Sequence, residues 1–194
     1  MKKKISIVTP TYNEESNIEK LCHLISVEMK KVNYEYEHIV IDNSSTDATI
    51  SILKKIASSD KNLKIIINSR NFGHIKSPIH GILQANGDAV ILMTSDFQDP
   101  VFLIPTYIKE WENGNKVVMA QKKSSDEDIK INFIRKLFYR SIKFISEVPL
   151  LTNTTGAGLF DRKIIEEIRN VNDPYPYFRG LISEITNDVK LIPF

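Results

Sequence analysis

The chain has 194 residues, of which 42% are hydrophobic and 26% are charged, the size and balance of a folded domain with a sizeable core. Its formal net charge of +2 is too small to indicate nucleic-acid binding. Its single cysteine, Cys22, excludes an internal disulfide bond, and no apolar run approaches the roughly 20 residues that a membrane-spanning helix needs.

Short apolar runs alternate with amphipathic segments through the first half of the chain. Lysines at positions 2 to 4 lead directly into the first apolar run, which indicates a strand rather than a signal peptide. The apolar runs are too short for helices, whereas the segments between them repeat apolar residues at helical spacing. Strands are therefore predicted at residues 5–8, 38–41, 63–67 and 89–93, and helices at about 16–30, 50–57 and 75–85.

The second half of the chain is less regular. A short helix after Pro105 and a strand at 116–120 precede an amphipathic segment with a basic face, which begins at Lys130 and ends at Ile145. We interpret this segment as a helix packed on the domain. The alternative is a helix that lies on an anionic membrane surface.

Small residues and turn formers dominate the last part of the sequence. The small side chains at 152–158 indicate a loop or short strand that backbone or ligand can approach closely. Asp161 is the expected N-cap of a helix at 162–169. A proline-aromatic turn at 173–180, a short helix and a strand at 189–192 complete the prediction.

Polar clusters follow each predicted strand of the first half. Strand–helix alternation with short loops predicts a mostly parallel sheet flanked by helices. Right-handed crossovers bring the carboxyl ends of parallel strands to one edge of a sheet. The clusters at 10–14, 42–47, 70–74 and 96–99 are therefore expected to meet in one crevice, although they are far apart in sequence.

The cluster after the fourth strand carries the most chemistry. Asp96, Gln98 and Asp99 stand just before Pro100. Carboxylate and amide oxygens suit Mg²⁺ or Mn²⁺, which proteins commonly hold through one or two carboxylates together with substrate phosphates. The alternative is that both acids only cap the helix after Pro100, and this stretch alone does not decide between the two.

Together these motifs resemble those of family 2 glycosyltransferases of the GT-A fold, most of all the polyisoprenyl-phosphate sugar transferases of the dolichol-phosphate mannosyltransferase group. Each motif is weak alone, but their order and spacing make the set specific, and it covers nearly the whole chain. The resemblance rests on residues 8–15 (VTPTYNEE), 41–47 (IDNSSTD), 70–74 (RNFGH), 87–89 (GDA) and 95–100 (SDFQDP).

The resemblance implies an α/β fold of GT-A type, a Rossmann-like mostly parallel sheet flanked by helices on both faces. It implies a single catalytic domain over 1–194, with a nucleotide-sugar-binding half at 1–100 and an acceptor-side half at 101–194. The implied reaction is the inverting transfer of a sugar from a UDP- or GDP-linked donor to a polyisoprenyl phosphate or a glycan, assisted by Mg²⁺ or Mn²⁺. Nucleic acid is not an expected partner.

The resemblance also assigns roles to particular residues. Arg179 corresponds to a position near the acceptor phosphate, and Asp99 is the candidate general base if the acceptor is a sugar hydroxyl. Asp96 and Gln98 are expected to bind the metal, and catalysis is expected to involve Asp96, Asp99 and Arg179. The residues expected to bind the nucleotide sugar are Pro10, Tyr12, Glu14, Asp42, Asn43, Arg70, Ser95, Asp96 and Lys122.

The chemistry of these residue types supports the assigned roles. A leaving nucleoside diphosphate develops negative charge, which a metal and a cation stabilise. Tyr12 can stack on a base, and Asp42 or Asn43 can hydrogen-bond the base edge. Taken singly, Tyr12 is better explained by packing, Asp42 by a helix cap and Arg70 by a surface ion pair; only the joint pattern favours a site.

The sequence departs from the family pattern at several points. Thr94 replaces the first acid of the usual Asp-x-Asp metal segment, and Asn43 replaces an acid at the base edge. Close relatives carry an Asp-Phe-Arg near 156–158, where this chain has small residues. The metal would then depend on Asp96, with Gln98 and the substrate diphosphate. These departures indicate an acceptor and a base preference that can differ from those of the family.

Other functions remain open at this level. A nucleotide-sugar-binding relative with weak catalysis or a regulatory role is the main alternative, followed by a membrane-surface adaptor that uses the 130–145 helix. A nucleotidyltransferase is disfavoured because no glycine-rich loop follows the first strand. Members of the lipid group often continue into membrane segments, so a chain truncated before them and a soluble relative both fit. The expected location is the cytoplasm, with the inner face of the membrane as the alternative within it.

Overall fold

A seven-stranded sheet forms the centre of the protein in the computed structural model, which describes residues 3–122, 154–171, 173 and 177–194. The strands are β1 (Lys4–Thr11), β2 (Glu35–Asp42), β3 (Leu63–Ile67), β4 (Ala89–Leu92), β5 (Val117–Gln121), β6 (Thr154–Asp161) and β7 (Lys190–Pro193). Their order across the sheet is β3-β2-β1-β4-β6-β5-β7.

Most neighbouring strands are parallel, as the sequence predicted. β1 pairs in parallel with β2 and β4, β2 with β3, and β5 with β7. β6 alone is reversed and lies antiparallel between β4 and β5. Because it runs the other way, β6 begins at the edge where β1 to β4 end, so its first residues join the polar loops that follow those strands.

Helices cover both faces of the sheet, as predicted. The helices are α1 (Ile18–Met29), α2 (Thr49–Ala57), α3 (Gly73–Gln84), α4 (Ile104–Glu112), α5 (Arg162–Asn170) and α6 (Phe178–Ile185). Residues of α1, α2 and α4 pack in one hydrophobic core, and residues of α3, α5 and α6 in a second core on the other face. In the ranges described, no helix is both long enough and apolar enough to cross a bilayer.

β1 is longer than the sequence indicated, because Pro10 does not end it. Pro10 pairs with Ile41 of β2. On the other side, the pairing with β4 stops at Val8 and Leu92. The hydrogen-bond donor that a proline lacks is therefore not required there, and β1 carries Pro10 and Thr11 out beyond β4 towards the polar loops.

The second half confirms some predictions and corrects others. The side chain of Asp161 accepts a hydrogen bond from the Lys163 backbone N–H, as expected of the N-cap of α5. Of the two alternatives for the small-residue stretch, the strand is confirmed: residues 154–158 begin β6, and 152–153 lie outside the described residues. The predicted turn extended to Gly180, which is wrong, because α6 begins at Phe178. The 130–145 segment lies outside the described residues.

Candidate functional site

A cleft of about 630 Å³ lies at the edge of the sheet where β1 to β4 end, within the size range of small-molecule sites. The loop after each of these strands contributes to its wall, together with the start of β6 and the start of α6. The lining residues are Pro10, Thr11, Tyr12, Glu14, Asn43, Asn71, Gly73, His74, Ile75, Ser77, Pro78, Leu92, Thr94, Ser95, Asp96, Thr155, Gly156, Ala157, Tyr177, Phe178 and Arg179.

The structure brings many of the predicted site residues together in this cleft. Tyr12 is 46% exposed at the mouth, so its ring is free to stack on a ligand. The predicted residues that line the cleft are Pro10, Tyr12, Glu14, Asn43, Ser95, Asp96 and Arg179. The remaining ones, Asp42, Arg70, Gln98, Asp99 and Lys122, do not line it.

Asp42 does not face the cleft because its carboxylate is used inside its own loop. It is fully buried, and it accepts hydrogen bonds from the Ser45 backbone N–H at 2.9 Å and the Ser45 hydroxyl at 2.5 Å. In this structure the side chain therefore shapes the turn after β2, and the expected hydrogen bond from Asp42 to a base edge stays a prediction. A neighbouring hydroxyl that satisfies an acid in this way is not visible in sequence spacing.

Asp99 lies beneath the cleft rather than in its wall. It is 1% exposed, and its oxygens accept hydrogen bonds from Thr155 Oγ1 at 2.5 Å and Thr94 Oγ1 at 3.2 Å. Burial raises the pKa of the Asp99 carboxyl, while the hydrogen bonds from Thr155 and Thr94 oppose that rise. Asp99 ties the loop after β4 to the start of β6, and the geometry does not favour a direct general-base role.

Asp96 is the exposed acid of the site. Its carboxylate accepts hydrogen bonds from the Gln98 backbone N–H at 3.2 Å and from Gln98 Nε2 at 2.6 Å. Gln98 therefore presents its amino group to Asp96 in this structure, and its expected role as a metal ligand stays a prediction. Thr94 Oγ1 lies 2.8 Å from Asp96 and 3.2 Å from Asp99, so these two carboxylates share its single proton. Within the ranges described, no cluster of three or more His, Cys, Asp or Glu side chains forms a metal site.

Phe97 sets the direction of this loop, a role that the sequence analysis missed. Its φ is 57°, a left-handed conformation that costs a bulky residue about 1–2 kcal/mol. The ring packs against the hydrophobic core while Asp96 stays exposed. Lys20 Nζ lies 5.4 Å from the ring centroid. A large apolar residue inside a polar loop was the only sequence signal for this anchor.

Arg179 enters the cleft from the start of α6. Its Nη1 donates to the Thr154 carbonyl oxygen at 2.9 Å, and its Cζ lies 5.4 Å from the ring centroid of Tyr177. Gly156, with a φ of 93°, lies beside it, and a Cβ there would be 3.9 Å from the Arg179 side chain. At Gly158 a Cβ would overlap the Val118 carbonyl oxygen, so the small residues permit close backbone approach, as predicted.

The other two predicted cations lie outside the cleft wall. Arg70 is exposed, and its guanidinium Cζ lies 4.5 Å from the Phe72 ring centroid. Lys122 is exposed after β5, and its charge acts on Asp99 by lowering the pKa of that carboxyl. Of the arginines and lysines that the structure describes, Arg179 alone lines the cleft.

Asn43 lines the cleft, but its amide is fully hydrogen-bonded within the protein. Its Oδ1 accepts from the Phe72 backbone N–H at 2.9 Å and from Asn68 Nδ2 at 3.1 Å. Its Nδ2 donates to Asn71 Oδ1 at 2.8 Å and to the Gly73 carbonyl oxygen at 3.3 Å. Asn43 therefore holds the loop after β3 in place, with its amide oxygen and amino group both occupied, and the expectation that it bonds a base edge stays a prediction.

Two relatives match almost all of this chain but are longer than it. The glycosyltransferase YkcC of Bacillus subtilis, which is itself uncharacterized, is 33% identical over 179 residues, 92% of this chain and 55% of its own length. The bactoprenol glucosyl transferase of Shigella phage SfV is 30% identical over 194 residues, 98% of this chain and 62% of its own length. The chain thus spans less than two thirds of the length of these curated relatives.

A solved structure and a family model agree with these matches. The mannosyltransferase PcManGT from Pyrobaculum calidifontis, in complex with GDP-Man and Mn²⁺, has a TM-score of 0.65 at 16% identity, over 100% of this chain and 55% of that one. This likeness shows that the fold is shared. The model of glycosyl transferase family 2 matches residues 6–169. The chain belongs to glycosyl transferase family 2.

Proposed function

We propose that this chain binds a nucleotide diphosphate sugar in the cleft and transfers the sugar, with inversion, to a polyisoprenyl phosphate. The observation that carries the proposal is the meeting of Tyr12, Asp96 and Arg179 in one cleft at the carboxyl edge of the sheet. These side chains supply an aromatic surface, an exposed carboxylate and a cation. A nucleoside, a metal-bound diphosphate and an anionic acceptor need these three groups.

The order of the strands favours one direction for the donor. Asn71 follows β3, Tyr12 follows β1 and Asp96 follows β4, so these residues succeed one another along the cleft. Neighbouring strands are about 4.8 Å apart, so the loops of β3 and β4 are separated by roughly 14 Å. That separation suits a base at the β3 end and a diphosphate at the β4 end.

A divalent cation fits this site as a shared ligand of protein and substrate. Mg²⁺ and Mn²⁺ are commonly held by one or two carboxylates plus phosphate oxygens, and Asp96 supplies one exposed carboxylate at the cleft. Such an ion would neutralise charge on the leaving diphosphate. Gln98 would have to give up its hydrogen bond to Asp96 if the ion takes that oxygen.

The acceptor end lies at Gly156 and Arg179. Arg179 presents a guanidinium suited to an anionic oxygen, and a phosphate acceptor is already ionised and needs little deprotonation. This agrees with the placement of Asp99 below the surface. The bactoprenol glucosyl transferase named above supports a lipid-linked acceptor. In this proposal residues 1–100 bind the donor and 101–194 form the acceptor side, at the inner face of the membrane.

Calorimetric titration of UDP and GDP into the chain, with and without Mn²⁺, tests the donor half. We expect binding of at least one of them, and tighter binding when Mn²⁺ is present. Absence of binding to both in the presence of Mn²⁺ would contradict the proposal. A control titration with inorganic phosphate separates nucleoside recognition from simple attraction to Arg179.

A weakly catalytic, nucleotide-sugar-binding relative is the second candidate, because Thr94 stands where the family usually has an acid and Gln98 occupies an oxygen of Asp96. Incubation with UDP- and GDP-sugars and undecaprenyl phosphate in detergent, with sugar transfer to the lipid as the readout, separates the two. Transfer above the no-enzyme rate supports the enzyme. Donor binding without transfer supports the second candidate.

A further inference from the structure

We infer that Asn71 selects the base of the nucleotide through its amino group, and favours bases with a ring carbonyl over bases with an exocyclic amine at the same position. This inference rests on the proposed function and names the specificity of the same cleft. Asn71 was not among the residues that the sequence predicted for binding. The argument starts from the hydrogen bonds that fix its side-chain amide.

Two backbone N–H groups determine which way the amides of Asn43 and Asn71 face. A backbone N–H only donates, so it must face an amide oxygen. The Phe72 N–H donates to Asn43 Oδ1 at 2.9 Å, and the Gly73 N–H donates to Asn71 Oδ1 at 2.8 Å. The contact of 2.8 Å between Asn43 Nδ2 and Asn71 Oδ1 is then a donor–acceptor pair without further assumption.

Asn71 is left with one unused group, its amino group. Its Oδ1 already accepts from Asn43 and Gly73. The side chain is exposed and lines the cleft. Among the residues that the structure describes, none accepts a hydrogen bond from Asn71 Nδ2. The cleft therefore offers the amide N–H donor of Asn71 at this end. The acid that the family usually has at position 43 would have presented an acceptor instead.

The position of Asn71 places this donor at the base. It lies after β3, at the opposite end of the strand order from Asp96, with Tyr12 between them. With the diphosphate at Asp96 and the nucleoside against Tyr12, the base edge is the part of the donor that reaches Asn71. Ser77, buried and also in the wall, already accepts a hydrogen bond from Asn68 Nδ2 at 3.0 Å.

The bases differ at the atom that an amide donor would meet. Uracil carries O4 and guanine O6, which accept a hydrogen bond, whereas cytosine and adenine carry amino groups there, which only donate. An amino group of Asn71 opposite another amino group leaves both donors without an acceptor. Because a donor that a bound base covers without accepting from it loses its hydrogen bonds to water, we expect UDP to bind about tenfold more tightly than CDP, and GDP more tightly than ADP.

The substitution Asn71→Asp tests the inference with little disturbance of the protein. An aspartate keeps the oxygen that accepts from Asn43 and Gly73 and replaces only the amino group by an acceptor. Calorimetry with UDP, CDP, GDP and ADP in the presence of Mn²⁺ gives the two affinity ratios. We expect Asn71→Asp to lower the UDP-to-CDP ratio by about five- to tenfold.

The added negative charge needs its own control, because it will weaken every nucleoside diphosphate. Ser69 is exposed on the same loop and does not line the cleft, so Ser69→Asp adds the charge without touching the base. We expect Ser69→Asp to lower all affinities and leave the ratios unchanged. Equal ratios in the wild type and Asn71→Asp would overturn the inference while the proposed function stands. A wild type that binds none of the four nucleotides would overturn both.

Discussion

The two edges of the sheet differ in whether all of their polar side chains are hydrogen-bonded within the protein. At the amino edge, Glu37 is 2% exposed. Its Oε1 accepts from Ser6 Oγ at 2.6 Å and the Asn86 N–H at 2.9 Å, and its Oε2 lies 3.0 Å from Lys4 Nζ and 2.5 Å from Lys64 Nζ. Every lone-pair direction of that carboxylate is used inside the protein.

At the carboxyl edge Asp42, Asn43 and Asp99 are likewise paired within the protein, but other groups there keep hydrogen-bonding or stacking capacity to spare. Asp96 is exposed and faces the cleft, Asn71 has an unused amino group, and Tyr12 has an open ring. The difference indicates a division of labour. Fully paired polar groups, such as Glu37 at the amino edge and Asp42 and Asn43 at the carboxyl edge, stabilise the fold. The incompletely paired groups described above lie at the carboxyl edge and are available to ligands. Substitutions at the two edges should therefore change different measured quantities.

The largest effect is expected from Asp96→Asn. Loss of the carboxylate removes the negative charge that would hold a cation at the diphosphate, so sugar transfer should fall by about 10²–10³-fold. Because Asp96 is exposed, the free energy of unfolding should change by no more than about 0.5 kcal/mol. Transfer rates with saturating donor, together with urea unfolding of the same preparations, check both statements.

Asp188→Asn is the matched control for that substitution. Asp188 is also exposed but lies far along the chain, before β7, and does not line the cleft. The substitution Asp188→Asn removes the same charge, so the transfer rate of this variant should equal that of the wild type. A comparable loss of rate in both variants would mean that net charge, not the position of Asp96, controls the reaction.

A smaller effect, on stability alone, is expected from pH at His38. Burial lowers the pKa of His38 from 6.5 to about 4, partly opposed by Asp60, and its Nε2 lies 3.0 Å from Thr9 Oγ1. Below pH 6.5 the unfolded chain binds a proton that the folded chain does not. The free energy of unfolding should therefore fall as the pH drops from 6.5 towards about 4, by on the order of 3 kcal/mol in all.

Urea unfolding at a series of pH values between 7.5 and 4.5 would measure this slope. His38→Gln keeps a polar side chain beside Thr9 and removes the titrating group, so its stability should change much less over the same range. The carboxyl of Glu37 takes up a proton in the unfolded chain around its ordinary pKa of 4.5, and it contributes equally to the slopes of the wild type and of His38→Gln. An identical slope in the variant would show that other groups cause the acid sensitivity.

Much of this arrangement could be predicted from the sequence, because strand periodicity and chain direction fix where a polar loop lies. The parallel sheet, the helices on both faces and the meeting of Tyr12 and Asp96 follow from the order of apolar runs and the rule that parallel strands end at one edge. These features depend on where the strands and helices lie along the chain, which the pattern of apolar residues specifies. Arg179, at the start of a helix, was expected near the site only from the family resemblance.

What the sequence could not specify is which way each loop side chain faces. Asp42 and Asp99 carry the right chemistry but turn inward, because Ser45 and Thr155 hydroxyls satisfy them there. Asn71 was passed over although it lines the cleft. The spacing of residues along the chain does not specify the direction of these side chains. It depends on which hydrogen-bond partners the folded loops bring within reach.

The smallest of the three effects is expected from Glu37→Gln at the amino edge. Hydrogen bonds from Lys64, Ser6, the Asn86 N–H and Lys4 outweigh the effect of burial and lower the pKa of Glu37 from 4.5 to about 2. A glutamine keeps one oxygen but turns an amino group towards two ammonium groups. Lys64 is 52% and Lys4 32% exposed, so both can turn to water, and the cost should be about 2 kcal/mol.

That loss should appear in urea unfolding, with no change in sugar transfer per folded molecule, because Glu37 lies at the edge opposite the cleft. Glu35→Gln is the matched control: it makes the same chemical change at an exposed position of β2, where the unfolding free energy should stay within about 0.5 kcal/mol of the wild type. If Glu37→Gln instead lowered transfer and left stability intact, the two edges would not be separable, and the sheet would have to couple the Glu37 network to the cleft.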